Sequence, residues 1–367
     1  MKKVAFLDLR VTDVFERDQL IKAISTVMNH GRLVMGPEIE KFEIAVAEYC
    51  GRKFCVSVGS GTDALFLGLK GLNIGTGDEV ITTSLSWVAT ANAIALNGAV
   101  PVFADIKDDL NIDPSSVVKL ITSRTKAILT VDYTGRICEM EALEQICKQH
   151  NLCLIEDGSQ SFGATRNGRR CGSFGVLSAI SHNAMKVFGA LGEAGSILCD
   201  DEALYNRLVS LRYNGTINRE TCIEPSLNGR MDTLQAAVLL VRLKNLNNLI
   251  SARLENANVY NKRLKDCVTI PIVSDYESHV YYTYTILTPQ RERLRDYLME
   301  SGIETKIQHL LLMPEQPAYI DHAVGEFMNA KRLSKQYLCI PIHEKLTIDE
   351  VEYVANSILK FFASSEK

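Results

Sequence analysis

Leu152-Cys153-Leu154-Ile155-Glu156-Asp157-Gly158-Ser159-Gln160 is a short apolar run that ends on two acids and a turn. Bounded in this way it reads as a buried parallel strand, with Asp157 at its C-terminal end. Runs of similar length recur at 54–58, 79–83, 100–104, 127–132, 177–181 and 196–199, with helical spacing between several of them at 62–70, 88–96 and 140–148. Strand–helix alternation of this kind predicts an α/β unit, a mostly parallel seven-stranded sheet flanked by helices on both faces. Such sheets bind ligands beyond the C-terminal ends of their strands. Asp157 therefore stands where chemistry is expected.

Outward from that core, a helical pattern without proline runs from 231 to 265 and predicts a connector into a second unit. There, 281–287 and 304–309 read as strands, 291–300 and 348–362 as helices, and 310–327 as a loop carrying Pro314 and Pro317. The division expected is 1–245 for a large domain that includes N-terminal helices and 246–367 for a smaller α+β domain.

Composition narrows the function. The chain has 367 residues, 46% hydrophobic and 23% charged, with a net charge of −4 and no basic block. The electrostatic footprint of nucleic-acid or anionic-membrane binding is missing. No run approaches the roughly 18–20 apolar residues of a membrane span, and an acid at Asp8 interrupts any signal-like start. The ten cysteines are scattered, none in a CxxC pair, which points to reduced thiols and a cytoplasmic setting, with neither a zinc site nor a disulfide framework.

The chemistry-bearing residue is Lys186. It lies in Ser181-His182-Asn183-Ala184-Met185-Lys186-Val187-Phe188-Gly189-Ala190-Leu191-Gly192-Glu193, a small and apolar stretch with no other charge before Glu193. A desolvated lysine downstream of an acid at a strand end is what pyridoxal phosphate requires: an amine for a Schiff base and a carboxylate for the pyridine nitrogen. Upstream, Ser57-Val58-Gly59-Ser60-Gly61-Thr62-Asp63-Ala64 follows a strand and opens a helix, so its free N–H groups and the Thr62 hydroxyl suit a phosphate. The same letters satisfy G-x-G-x-x-A, which keeps a dinucleotide-binding enzyme as a rival; against it, Asp78 and Glu79 precede the next strand where that fold needs an acid after it. Trp87, the only tryptophan, follows another strand, where an indole can stack on a heteroaromatic ring or simply fill the core.

The combined pattern resembles the sugar aminotransferases of the DegT/DnrJ/EryC1/StrS family, with the fold type I architecture of pyridoxal-phosphate enzymes. The matching stretches run in order along nearly the whole chain: Met35-Gly36-Pro37-Glu38, Ser60-Gly61-Thr62-Asp63-Ala64-Leu65, Gly77-Asp78-Glu79-Val80, Gly98-Ala99-Val100-Pro101-Val102, Glu156-Asp157, Gly192-Glu193-Ala194-Gly195, Asn228-Gly229-Arg230-Met231 and Ile340-Pro341-Ile342-His343. The resemblance implies that Lys186 carries the cofactor and shuttles the proton, and that Asp157 keeps the pyridine nitrogen protonated. It implies Gln160 near the phenolic oxygen, Trp87 as the stacking ring, and Gly61, Thr62 and Ser181 on the phosphate. Asn228 would reach the phosphate from a neighbouring subunit, so a homodimer with shared sites is expected. The implied reaction passes an amino group from L-glutamate, released as 2-oxoglutarate, to a keto-sugar, with a nucleotide-linked keto-deoxysugar as the expected acceptor. The alternatives are a small phosphorylated ketone as acceptor and a non-catalytic cofactor-binding regulator.

The substrate wall departs from the family pattern. Met185 stands where a threonine usually precedes the lysine, Asp132 where a histidine is usual, Gly229 where an aromatic precedes Arg230, and His309-Leu310 where His-Tyr is common. Lys186 itself separates the chain from the related dehydratases, which carry histidine there. Asp132, Arg230 and His309 are the expected substrate contacts, each with a structural alternative; His343 is weighed in the same way, and Lys306 and Gln308 flank Ile307 as the solvated face of a strand.

Overall fold

The computed structural model describes residues 3–322 and 325–365. Two helices precede the sheet. α1 (Val14–His30) is capped by Asp13, whose side chain accepts from the Glu16 N–H, and ends at Gly31 with φ 70°. α2 (Pro37–Cys50) starts on Pro37, whose missing N–H costs a first turn nothing, and ends at Gly51. Then strands and helices alternate: β1 (Phe54–Val58), α3 (Gly61–Gly71), β2 (Glu79–Thr83), α4 (Ala89–Leu96), β3 (Val100–Ala104), α5 (Pro114–Leu120), β4 (Thr125–Val131), α6 (Met140–His150) and β5 (Cys153–Asp157). A small hairpin, β6 (Thr165–Arg166) and β7 (Arg169–Arg170), leads to β8 (Leu177–Ser181), β9 (Gly195–Cys199) and α7 (Glu202–Leu211). A second hairpin, β10 (Thr216–Ile217) and β11 (Thr221–Cys222), precedes α8 (Thr233–Leu243).

Seven strands form one sheet in the order β1-β9-β8-β5-β4-β2-β3. β9 is antiparallel to both its neighbours, and the remaining pairs are parallel. Successive side chains enter opposite cores: Ile128 and Leu154 pack with Phe42, Val46 and Phe174, whereas Leu129 and Ile155 pack with Leu65, Leu67 and Leu208. That double burial explains why the strands read as continuous apolar runs rather than alternating ones. The expected mixed α/β architecture is present, with strand ends within two residues of the sequence-based ranges.

Two expectations need correction. The pattern at 231–265 is two helices, α8 and α9 (Leu246–Leu264), separated at Asn245. Asn245 leaves helical geometry at φ −106° and ψ 1°, and its side-chain oxygen accepts from Asn248 at 2.7 Å, a local bond that competes with helix continuation. Further on come β12 (Tyr284–Leu287), α10 (Arg291–Glu300), α11 (Met328–Leu333), β13 (Tyr337–Ile340) and α12 (Ile348–Ser365). β12 begins after Tyr281, which sits at φ 48°, and 304–309 contributes only the Lys306–Cys339 bridge rather than a strand. A separate core of Tyr260, Tyr284, Ile286, Leu294, Leu298, Val351 and Ile358 also takes in Val4, which pairs with Ile303. Val4 thus packs among the C-terminal elements, a long-range pairing no local pattern announces. No helix among the described residues is long and apolar enough to cross a membrane.

Candidate active site

A cavity of about 400 Å³ lies beyond the strand ends, lined by the start of α3, the ends of β5 and β8, the loop that follows β8, and Tyr282, Lys306, Gln308 and His309. Asp157 closes β5 at its floor. Its Oδ1 accepts the Ser159 N–H at 3.0 Å. Burial raises its pKa, an effect opposed by the Ser159 bonds and by the Lys186 charge.

Lys186 sits on a tight loop between β8 and β9. Its N–H donates to Asn183 O at 2.8 Å, and Ala184 and Ala190 bond back to Gly192 and His182. His182 braces that loop from below: its Nε2 meets Ser196 Oγ at 2.9 Å while Phe42, Phe162 and Phe188 present themselves edge-on. Burial lowers the His182 pKa to about 3, so the brace is a neutral imidazole. The Lys186 amine rises into the cavity, 4.5 Å from the centre of the Tyr282 ring.

The opposite end of the cavity is built for an anion. Ser60 caps α3 by accepting the Asp63 N–H at 3.0 Å, which leaves the Gly61 and Thr62 N–H groups without intrahelical acceptors. A Cβ on Gly61 would stand 2.6 Å from Ser181 Cβ, so only glycine lets the helix start touch the end of β8. Trp87 is 62% exposed and lines the same space, a ring face available for stacking. Gln160 is buried, with its Oε1 accepting the Thr134 N–H at 2.9 Å. His309 lies 6.1 Å from Trp87 and 5.8 Å from Tyr133, its pKa lowered to about 4 by burial and by the charges of Lys306 and Lys186.

Lys186, Asp157, Gly61, Thr62, Trp87, Gln160, Ser181 and His309 therefore converge on one cavity. Asp132 does not. It is fully buried, its carboxylate bonded by the Cys138 N–H at 3.0 Å and the Ser161 hydroxyl at 2.7 Å. Burial and the nearby Glu156 push its pKa up. The expectation that this acid faces the substrate is corrected: it belongs to the buried polar layer with Glu156 and Cys171. Asn228 and Arg230 also lie outside the cavity of a single chain. Asn228 is exposed and accepts Arg230 Nε at 2.8 Å, and the Arg230 guanidinium covers Tyr213 at 4.2 Å. His343 is buried elsewhere.

Among the cavity residues that sequence reasoning did not assign to the site are Lys306, Gln308 and Tyr282. Lys306 and Gln308 showed a strand-like alternation, but which of its faces meets the cavity depends on packing against elements far away in the chain. Tyr282 had no signal, because the positive φ of Tyr281 that turns the segment is set by tertiary contacts.

The donor set fits pyridoxal phosphate: a cradle of N–H groups that a Cβ would fill, a buried carboxylate, an open aromatic face and an amine around one cavity. Comparison with known proteins agrees. Residues 15–359 match the model of the DegT/DnrJ/EryC1/StrS aminotransferase family. The chain is 35% identical, over 98% of its length and 99% of the relative's, to dTDP-3-amino-3,6-dideoxy-alpha-D-galactopyranose transaminase from Aneurinibacillus thermoaerophilus. It is 30% identical to 3-oxo-glucose-6-phosphate:glutamate aminotransferase from Bacillus subtilis, over 98% of this chain and 83% of that one. The crystal structure of S. venezuelae DesV in complex with a ketimine intermediate superposes with a TM-score of 0.95 at 34% identity, covering 98% of this chain and 99% of DesV.

Proposed function

The chain belongs to the DegT/DnrJ/EryC1/StrS aminotransferase family and is a pyridoxal-phosphate-dependent aminotransferase; from that premise we propose that it transfers the amino group of L-glutamate to a nucleotide-linked keto-deoxysugar in two half-reactions. The observation that carries the chemistry is the convergence of Lys186 and Asp157 on one cavity whose far end offers free helix N–H groups.

Bound pyridoxal phosphate supplies the electron sink for a carbanion at the substrate carbon. Asp157 would hold the pyridine nitrogen protonated. The Gly61 and Thr62 N–H groups, with Ser181, would hold the phosphate, and Trp87 would offer its exposed face to the ring. Lys186 would be the residue that holds the group through its amine, and as a free amine it would move the proton at the substrate carbon. Tyr282 and neutral His309 wall the amine from bulk water, which keeps that transfer from leaking. Lys306, the second lysine of the cavity, meets the anionic part of the substrate.

The nucleotide-linked acceptor is supported by the Aneurinibacillus relative, whose name is that of a dTDP-amino-sugar transaminase. A second acceptor, a small phosphorylated keto-sugar, is favoured by the Bacillus subtilis relative. The deciding experiment loads the protein with pyridoxal phosphate, bleaches its visible band with L-glutamate and then screens both acceptor classes with 2-oxoglutarate release as readout. Turnover with keto-sugar nucleotides is expected. Turnover confined to keto-phosphates would move the assignment to the second class, and a band that L-glutamate leaves untouched would end the aminotransfer scheme.

The working form is a cytoplasmic homodimer in which Asn228 completes the phosphate site of the neighbouring subunit. Its exposed position outside the cavity of its own chain supports this. Asn228→Ala then weakens cofactor retention roughly tenfold, the cost of one hydrogen bond to a charged oxygen. Equilibrium dialysis and sedimentation check it. Unchanged retention, or a monomer of full affinity, removes the shared site.

A further inference from the structure

Thr134 is the least comfortable residue near the cavity. It adopts φ 64° and ψ −7°, the left-handed region that β-branched residues avoid, and it is buried. Strain of this kind persists only where the surroundings enforce it. Here they do so from a distant segment. The Thr134 oxygen accepts the Thr283 N–H at 3.2 Å, and the Gly135 oxygen accepts the Val280 N–H at 3.0 Å. A Cβ on Gly135 would come within 2.8 Å of Tyr282 N, so the two strands of chain are pressed together.

His279 completes the grip. Its Nδ1 accepts the Tyr281 N–H at 2.9 Å, so in the neutral ring the proton resides on Nε2. Nε2 faces Thr134 Oγ1 at 3.4 Å and donates to it. Burial, with the Arg136 charge, lowers the His279 pKa to about 3, which keeps the ring in that neutral form.

The consequence lies at Gln160. The strained backbone aims the Thr134 N–H at the Gln160 side chain, 2.9 Å away. A backbone N–H can only donate, so the Gln160 oxygen must be the atom that faces it, and the NH2 group is turned the other way. Gln160 lines the cavity. We propose that Thr134, held left-handed by His279 and the 280–283 segment, is a positioning residue that presents Gln160 to the cofactor as a hydrogen-bond donor, never as an acceptor. The proposal rests on the assignment of the cavity to pyridoxal phosphate. The resemblance places Gln160 beside the phenolic oxygen; a donor there would favour its anionic form and so would lower the pH at which the lysine–cofactor linkage loses its proton.

The test is a pH titration of the visible band of the cofactor-loaded protein. Gln160→Leu raises the midpoint by about one pH unit, the size of one lost hydrogen bond to a charged oxygen. Thr134→Val removes the hydroxyl anchor and resists the left-handed geometry, so it raises the midpoint in the same direction. Thr134→Gly adopts positive φ without cost and titrates as the wild type. Gln160→Leu combined with Thr134→Val titrates as Gln160→Leu alone, because the effect of Thr134 passes through Gln160. Should Thr134→Val not fold, Thr134→Ala carries the same expectation with less crowding. A Thr134→Val midpoint equal to wild type, a Thr134→Gly shift as large as that of Gln160→Leu, or additive shifts in the double variant would overturn the proposal. A wild-type protein that shows no visible band with pyridoxal phosphate would instead refute the cofactor assignment beneath it.

Discussion

Lys186→Ala lowers the turnover number for amino transfer by roughly 10⁴-fold, the upper range for removing a positioned proton-transfer group, and abolishes covalent attachment of the cofactor. The fold survives, because the replaced amine makes its contact with the Tyr282 ring from inside a cavity and supports no core. Borohydride reduction followed by peptide mapping checks the covalent part: the wild type carries its adduct on the peptide containing Lys186, and the variant carries none. Lys306 makes this test sharp, since it lines the same cavity. An adduct on Lys306 would remove Lys186 from its role while leaving the rest of the site standing.

Asp157→Asn produces a large loss of activity together with a gain in stability. In the loaded enzyme it leaves the protonated pyridine nitrogen without its buried counter-charge, a loss of about 3–5 kcal/mol, which is roughly 10²- to 10⁴-fold in rate. In the cofactor-free protein the sign reverses. Burial raises the Asp157 pKa above its unfolded value, so this group favours folding fully only below the carboxylate range and loses that contribution as pH rises through its folded-state pKa. The amide that replaces the carboxylate has no charge to bury, so cofactor-free Asp157→Asn melts higher than the wild type at neutral pH. The difference shrinks as pH falls below about 4, where aspartate protonates even when unfolded. Paired melting curves at the two pH values are the measurement. A variant that melts lower than the cofactor-free wild type at neutral pH would mean that the Ser159 bonds and the Lys186 charge outweigh the burial.

Much of this was legible in the chain because it is written locally. A strand buried on both faces must read as a continuous apolar run, so 152–156 betrayed β5 and placed Asp157 at its end. A helix that starts on glycine after a strand advertises its free N–H groups, so Ser60-Gly61-Thr62 could be assigned to an anion without seeing its partner Ser181. Asn245 shows where that logic stops: it matched a helical pattern, but its side-chain bond to Asn248 marks the break between α8 and α9.

Other features depend on what crosses from far away. Asp132 looks like an entry-side acid from its place at the end of β4; it is the Ser161 hydroxyl and the Cys138 N–H that turn it under the floor. Lys306 and Tyr282 reach the cavity only because the C-terminal elements dock over it.

The amino-acid order alone determined the sheet, its ligand-bearing edge and the amine, carboxylate and anion cradle, since each follows from hydrophobic period or turn chemistry within a few residues. Tertiary structure alone decided which way Gln160 points, which acid is hidden and which C-terminal side chains close the cavity. Those outcomes are set by contacts between residues far apart in the chain, as between Thr134 and His279, and such contacts leave no periodicity to read.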